Sequence, residues 1–221
     1  MFAKDIVHFD IPALSLNTTI KEAKKLFSNH KISELAVVNE QNEFIGLLNE
    51  DSIIDIPLNQ SKETIKEIEL CNIYAKSTQH IYEVFEIFAS NNLSLIPIIN
   101  NENVYVGAIT IICLTTYIST ITGFKKKGAV IIFTLQKKDY SLSQICQIVE
   151  SNNAKIISLF TNEIADNTLE IILKLNIEDI TSIIQSFDRY NYHVETLFAQ
   201  TEILDVFLQS RIGNLMSYLN V

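Results

Sequence analysis

The sequence predicts an α+β / α/β chain: a tandem pair of repeats, then a βαββαβ unit and a C-terminal helix. Three observations lead there. Residues 20–46 match residues 81–107 without a gap, at a shift of 61. Apolar spacing switches between helical and strand periods along the whole chain. After residue 128 the order of those periods changes and no third copy of the repeat follows.

The repeat is identical at Ile20/Ile81, Glu22/Glu83, Phe27/Phe88, Ser33/Ser94, Asn39/Asn100, Asn42/Asn103 and Gly46/Gly107. Most other positions exchange one apolar residue for another, so the unit is duplicated. Each copy reads helix, strand, turn, strand, helix. "TIKEAKKLFSNH" sets Ile20, Ala23, Leu26 and Phe27 on one helical face, and "IYEVFEIFASNN" does so with Ile81, Val84, Phe85 and Phe88. "LAVVN" and "LIPIIN" are continuous apolar runs that suit strands buried on both sides. "EQNE" and "NENV" are polar turns. "FIGLL" and "YVGAI" return as second strands, each with a glycine that marks close backbone approach. Short helices are expected at "NEDSIID" and "IICLTTYI".

The phrases "S-x-L-A-V-V" and "G-L-L-N-x-x-S" in this order resemble the CBS domain, the tandem regulatory repeat named after cystathionine β-synthase, over about residues 1–122. That resemblance implies two clefts between the repeats that bind adenosine-type ligands, so a possible cofactor-like ligand is an adenine nucleotide. It also implies a G-x-x-[ST]-x-x-D signature. The hydroxyl would sit at a helix N-terminus that welcomes phosphate, and the Asp would hold both ribose hydroxyls. Here Gly46 is followed by Asn49 and Ser52, and Gly107 by Thr110 and Cys113. Asp51 is one residue out of frame, about 100° away on a helix. Losing a two-point, charge-assisted bond costs about 1.5–3 kcal/mol, roughly 10–150-fold in affinity. The remaining cleft positions carried over are Pro12, Ile73, Ile32, Ser33, Glu34, Leu93, Ser94 and Leu95; Glu34 would repel a phosphate if it faced the cleft.

"TGFKKKG" (122–128) brackets three lysines with Gly123 and Gly128 and reads as a hinge at 123–128. Residues 129–199 then parse as a ferredoxin-like βαββαβ unit. "AVIIFTL" is a strand, and "SLSQICQIVESNN" a helix capped by Ser141 with Leu142, Ile145, Ile148 and Val149 facing inward. "AKIISLFTN" and "TLEIILKLN" form a hairpin around "EIADN". "EDITSIIQSFDRYN" opens with acidic residues that suit a helix N-terminus, and "YHVETLFA" closes the unit. The length and the phrase "DYSLSQICQIVESNNAKI" resemble an ACT domain, a family that often binds amino acids at a dimer interface. In its D-x-P-G-x-L loop Asp139 stands in place of Pro and Tyr140 in place of Gly, with Ser141 next and Leu142 kept. Tyr140 would fill the space left for an amino acid, so the unit reads as a dimerisation element whose edge strands pair with a partner. The order of CBS, CBS and ACT resembles the bacterial acetoin-utilisation family.

The tail at 200–221 places Ile203, Val206, Phe207, Ile212, Leu215, Met216 and Leu219 at helical spacing. It packs on its own subunit or on a second one; in the alternative it is a partner-binding helix.

Charge and motifs narrow the function. A formal net charge of −9 repels nucleic acid and anionic membrane. Cys71, Cys113 and Cys146 are widely spaced, as in a reducing cytoplasm, and the longest apolar runs are strand-length. His8, His30, His80 and His193 lack metal spacing, and phosphate-loop and nucleophile-elbow motifs are missing. The expected protein is therefore non-catalytic and cytoplasmic. The resemblance to CBS and ACT domains implies a homodimer that senses an adenosine-type nucleotide and relays the state to an unidentified regulated protein. Its alternative is a ligand-free scaffold. Repeat 1 spans about 1–60 and repeat 2 about 61–122.

Overall fold

The computed structural model of the protein describes residues 1–57, 63–165 and 167–198. The tail at 200–221 lies outside the described residues. The chain divides into two compact units, Met1–Ile118 and Ser119–Val221.

In the first unit each repeat supplies a three-stranded sheet and a helix. Repeat 1 has β1 (Leu14–Ser15), α1 (Ile20–His30), β2 (Glu34–Val38) and β3 (Phe44–Asn49), with β1 parallel and β3 antiparallel to β2. Repeat 2 repeats the order with β4 (Ala75–Lys76), α2 (Ile81–Asn91), β5 (Leu95–Ile99) and β6 (Tyr105–Thr110), followed by α3 (Ile111–Ile121). The start and stop signals are duplicated too. Thr19 and His80 cap α1 and α2 in capping boxes closed by Glu22 and Glu83. Lys31 and Asn92 end the two helices in the left-handed conformation.

The repeats are interlocked rather than side by side. The segment leading into repeat 1 pairs with the sheet of repeat 2: His8 N donates to the Ala108 carbonyl at 2.8 Å and Ala108 N to the His8 carbonyl at 3.0 Å. The segment leading into repeat 2 pairs with repeat 1 through Leu47 and Cys71, at 2.8 and 2.9 Å. Gly46 and Gly107 make this crossing possible. A Cβ on Gly46 would lie 2.6 Å from Leu70 Cβ, and one on Gly107 would lie 2.7 Å from the His8 carbonyl oxygen. The crossing also explains a proline in a central strand. Ala108, the register partner of Pro97, spends both backbone groups on His8. The nitrogen of Pro97 therefore turns towards β4, which pairs only with Ile98 and Ile99.

Two core clusters follow this exchange. Leu95, Ile99 and Ala108 of repeat 2 join the core of repeat 1, and Ala3 joins that of repeat 2. Two sequence expectations need correction. "NEDSIID" is a 3-10 turn at Glu50–Ser52 instead of a helix. Lys24 Nζ donates to the carbonyls of Ile54 (2.7 Å) and Ile56 (2.8 Å), and Pro57 disfavours helix before it. Phe85 is 45% exposed. It lies roughly 65–70° off the centre of the stripe formed by Ile81, Val84 and Phe88, at about 100° per residue.

The second unit is the expected ferredoxin-like order. It comprises β7 (Val130–Gln136), α4 (Leu142–Ser151), β8 (Ile156–Ala165), β9 (Thr168–Leu175), α5 (Thr181–Arg189) and β10 (Val194–Phe198). The sheet runs β10-β7-β9-β8, all antiparallel. Ile145, Ile148 and Val149 of α4 and Ile183, Ile184 and Phe187 of α5 cover one face. Phe133, Phe187 and Tyr192 meet there with ring centroids 5.2–5.8 Å apart. Leu142, expected inside, is 48% exposed because it sits on the flank of the α4 stripe, as Phe85 does on α2. Most of "EIADN" is strand, since β8 runs to Ala165 and β9 starts at Thr168. Gly123 and Gly128 both have positive φ, and a Cβ on Gly128 would lie 1.9 Å from the Leu175 carbonyl.

Candidate functional site: the junction of the two repeats

The sequence-derived positions fall at the strand ends where the repeats meet. Glu34 opens β2 and pairs in register with Asn49 at the end of β3; Leu95 opens β5 and pairs with Thr110 at the end of β6. Paired residues project to the same face, with Cβ atoms about 4.5–5.5 Å apart. The turns beyond are anchored alike: Glu50 N donates to the Ser33 carbonyl at 2.8 Å, and Ile111 N to the Ser94 carbonyl at 2.9 Å.

At one end of the junction the two copies grip each other reciprocally. Asn42 Nδ2 donates to the Tyr105 carbonyl at 2.9 Å, and Asn103 Nδ2 to the Phe44 carbonyl at 3.0 Å. Their backbones do the same, each at 2.8 Å. Both asparagines are left-handed, at φ 62° and 64°, a conformation Asn tolerates better than most residues.

At the other end the reciprocity breaks. Ser33 N donates to Ser94 Oγ at 2.8 Å, but Ser94 N turns to Glu34 Oε2 at 2.9 Å. Ser94 Oγ donates to the same oxygen at 2.5 Å, and Leu95 N adds a third bond at 3.2 Å. Glu34 is 3% exposed, yet its repeat equivalent is the apolar Leu95. A carboxylate is tolerated at such depth because three donors replace the water it has lost. Among the described residues Oε1 takes no hydrogen bond.

The two candidate clefts differ in equipment. In the second, Thr110 Oγ1 accepts from Cys113 N at 3.1 Å and caps α3, an 11-residue helix. Cys113, where the sequence resemblance implies an Asp, donates its thiol to the Ile6 carbonyl at 3.3 Å. Burial pushes that thiol's pKa up. In the first, Asn49 Oδ1 accepts from Asp51 N at 3.0 Å, so its side chain closes its own turn, and Ser52 is exposed. Pro12, Ile73 and Leu93 are half-buried, the latter two against the core, and Ile32 is buried in it. Tyr105 OH donates to the Ile11 carbonyl at 3.1 Å and ties the leading segment down; burial raises its pKa strongly.

Sequence reasoning named Glu34 as a repeller of phosphate but missed its internal bonds. It also missed Ile6 and Tyr105, because the exchange of leading segments leaves no local signal. Asn42 and Asn103, identical between the copies, were the available clue to the reciprocal end.

In the second unit Ser141 Oγ caps α4 by accepting from Gln144 N at 3.4 Å. Tyr140 packs on the unit's core. Asp139 lines an open groove with Thr134, Gln136, Gln144 and Tyr192. Tyr192 OH donates to Gln144 Oε1 at 2.6 Å across it. Among the described residues no three His, Cys, Asp or Glu side chains converge as a metal site, and no helix is long and apolar enough to cross a membrane.

The CBS domain family profile matches residues 3–59 and 65–119. A homoserine O-acetyltransferase of Methanobrevibacter ruminantium is 26% identical over 109 residues, 48% of this chain and 22% of that one. The chain thus spans about a fifth of the length of the curated relatives it matches. Among solved structures, a Methanocaldococcus jannaschii protein has TM-score 0.51 at 14% identity, covering 55% of this chain and 61% of its own. A CBS domain pair in complex with 5′-methylthioadenosine and S-adenosylmethionine is 26% identical, with TM-score 0.45, covering 57% of this chain and 98% of its own.

Proposed function

Because the chain belongs to the CBS domain family through both of its repeats, we propose that it is a regulatory protein whose repeat pair senses an adenosine-type small molecule. CBS domain pairs are typically regulatory rather than catalytic, and solved pairs hold AMP in one case and 5′-methylthioadenosine with S-adenosylmethionine in another. The observation that carries the reading here is Thr110. Its hydroxyl caps the N-terminus of α3, three residues after the close-approach glycine Gly107, where the helix dipole favours a polar ligand group. The second cleft is thus the better equipped of the two.

The rest of the reading extends beyond the repeats. The second unit is an ACT-like dimerisation element, the chain is a cytoplasmic homodimer of the bacterial acetoin-utilisation type, and the bound state is relayed to a regulated protein. Ligand control requires one conformation to bind the ligand better than the other. The segment 123–128 is where such a change would be taken up.

A second reading, a ligand-free scaffold, has its own support: Cys113 is spent on Ile6 and Asn49 on its own turn. A thermal-shift screen of the full chain against adenosine, AMP, ATP, S-adenosylmethionine, NADH and amino acids separates the two. Stabilisation by an adenosine compound that Thr110→Ala removes is the expected result. No shift at millimolar concentration favours the scaffold.

A further inference from the structure

We infer that Glu34 makes the repeat pair selective against phosphate, so that its ligand is a nucleoside whose 5′ substituent is neutral or cationic. The inference rests on the sensing function proposed above and narrows its ligand class. Glu34 is the one charged residue among the twelve cleft positions read from the sequence; Lys, Arg and His are absent from that set. It stands beside both receiving positions, since its register partner is Asn49 and the amide it binds belongs to Leu95, the partner of Thr110. It is held in place by Ser94 N, Ser94 Oγ and Leu95 N, all on Oε2, and is buried too deeply to swing into solvent.

A phosphate brought to either position would face this carboxylate with none of the cleft positions supplying a cation. For two unit charges about 8 Å apart at an effective dielectric of about 20, repulsion corresponds to roughly thirtyfold in affinity. A sulfonium or ammonium group gains by the same field, and a neutral 5′ group is indifferent to it. Repeat 2 shows what the position looks like without the charge, for Leu95 fills it with an apolar side chain.

The test is calorimetric titration of the full chain with adenosine, AMP, ATP and S-adenosylmethionine, in wild type and in Glu34→Gln. Wild type is expected to bind S-adenosylmethionine or adenosine at least tenfold more tightly than AMP. Glu34→Gln should shrink that ratio at least fivefold. If Glu34→Gln fails to fold, Glu34→Leu, which copies the second repeat, takes its place, and the wild-type ratio still decides the sign. AMP binding as tightly as adenosine, or a ratio unmoved by the substitution, overturns the inference while leaving nucleotide sensing intact. If none of the four binds, the sensing function falls and the inference falls with it.

Discussion

Ser94→Ala is the most direct probe of the junction. The substitution removes one hydroxyl that donates to Glu34 Oε2 at 2.5 Å and accepts from Ser33 N at 2.8 Å. The first bond is charge-assisted and sits beside a carboxylate only 3% exposed, which puts its worth at about 1.5–3 kcal/mol. The second adds little, because Ser33 is exposed and water can replace the lost acceptor. A loss of about 2 kcal/mol is therefore expected, or roughly 4–8 °C in Tm for a chain of this size. Urea unfolding followed by circular dichroism would read it. The same substitution in a Glu34→Leu background should cost at least 1 kcal/mol less, since its charged partner is gone. Equal costs in the two backgrounds would refute the reasoning: Ser94 would then act by packing alone and Glu34 would not be the clamp.

Two further outcomes follow from the exchange of leading segments. Gly107→Ala would press a Cβ against Val7 Cγ1 and the His8 carbonyl, at 2.5 and 2.7 Å, and should cost about 1–3 kcal/mol. Amide exchange would show faster opening at His8 and Ala108, whereas unchanged protection there would mean that the segment does not pair as described. The second outcome concerns alkaline pH. Burial raises the Cys113 pKa above its ordinary value, so the folded state keeps a proton that the unfolded chain gives up. Stability from this source is complete below pH of about 8.5 and declines as pH rises through the folded pKa. Melting temperatures should therefore fall in mildly alkaline buffer, and Cys113→Ala should flatten the first part of that fall; an identical slope in the variant would exclude the thiol.

The legibility of this protein follows the range of the interactions involved. Helices α1 and α2 and the strand pairs β2–β3 and β5–β6 were readable because helical stripes and turn residues act within about four positions. Duplication then doubled each signal. Errors came where two elements compete for a residue. Phe85 and Leu142 sit on the edges of their helical stripes and stay exposed. The segment after Glu50–Ser52 reads as helix by pattern, yet the carbonyls of Ile54 and Ile56 are taken by Lys24, 30 and 32 residues away.

The sequence by itself determined the duplication, the order of the elements in both units and the identity of the strand-end residues. These rest on periodicity and on side chains close along the chain. Only the tertiary structure decided that each repeat borrows its leading segment from the other. It also decided that Tyr105 anchors Ile11 and that Cys113 is spent on Ile6. The role of Glu34 belongs with these, since its partners are 60 and 61 residues away. The donors that fix this carboxylate at the junction come from the other copy, and only packing brings them there.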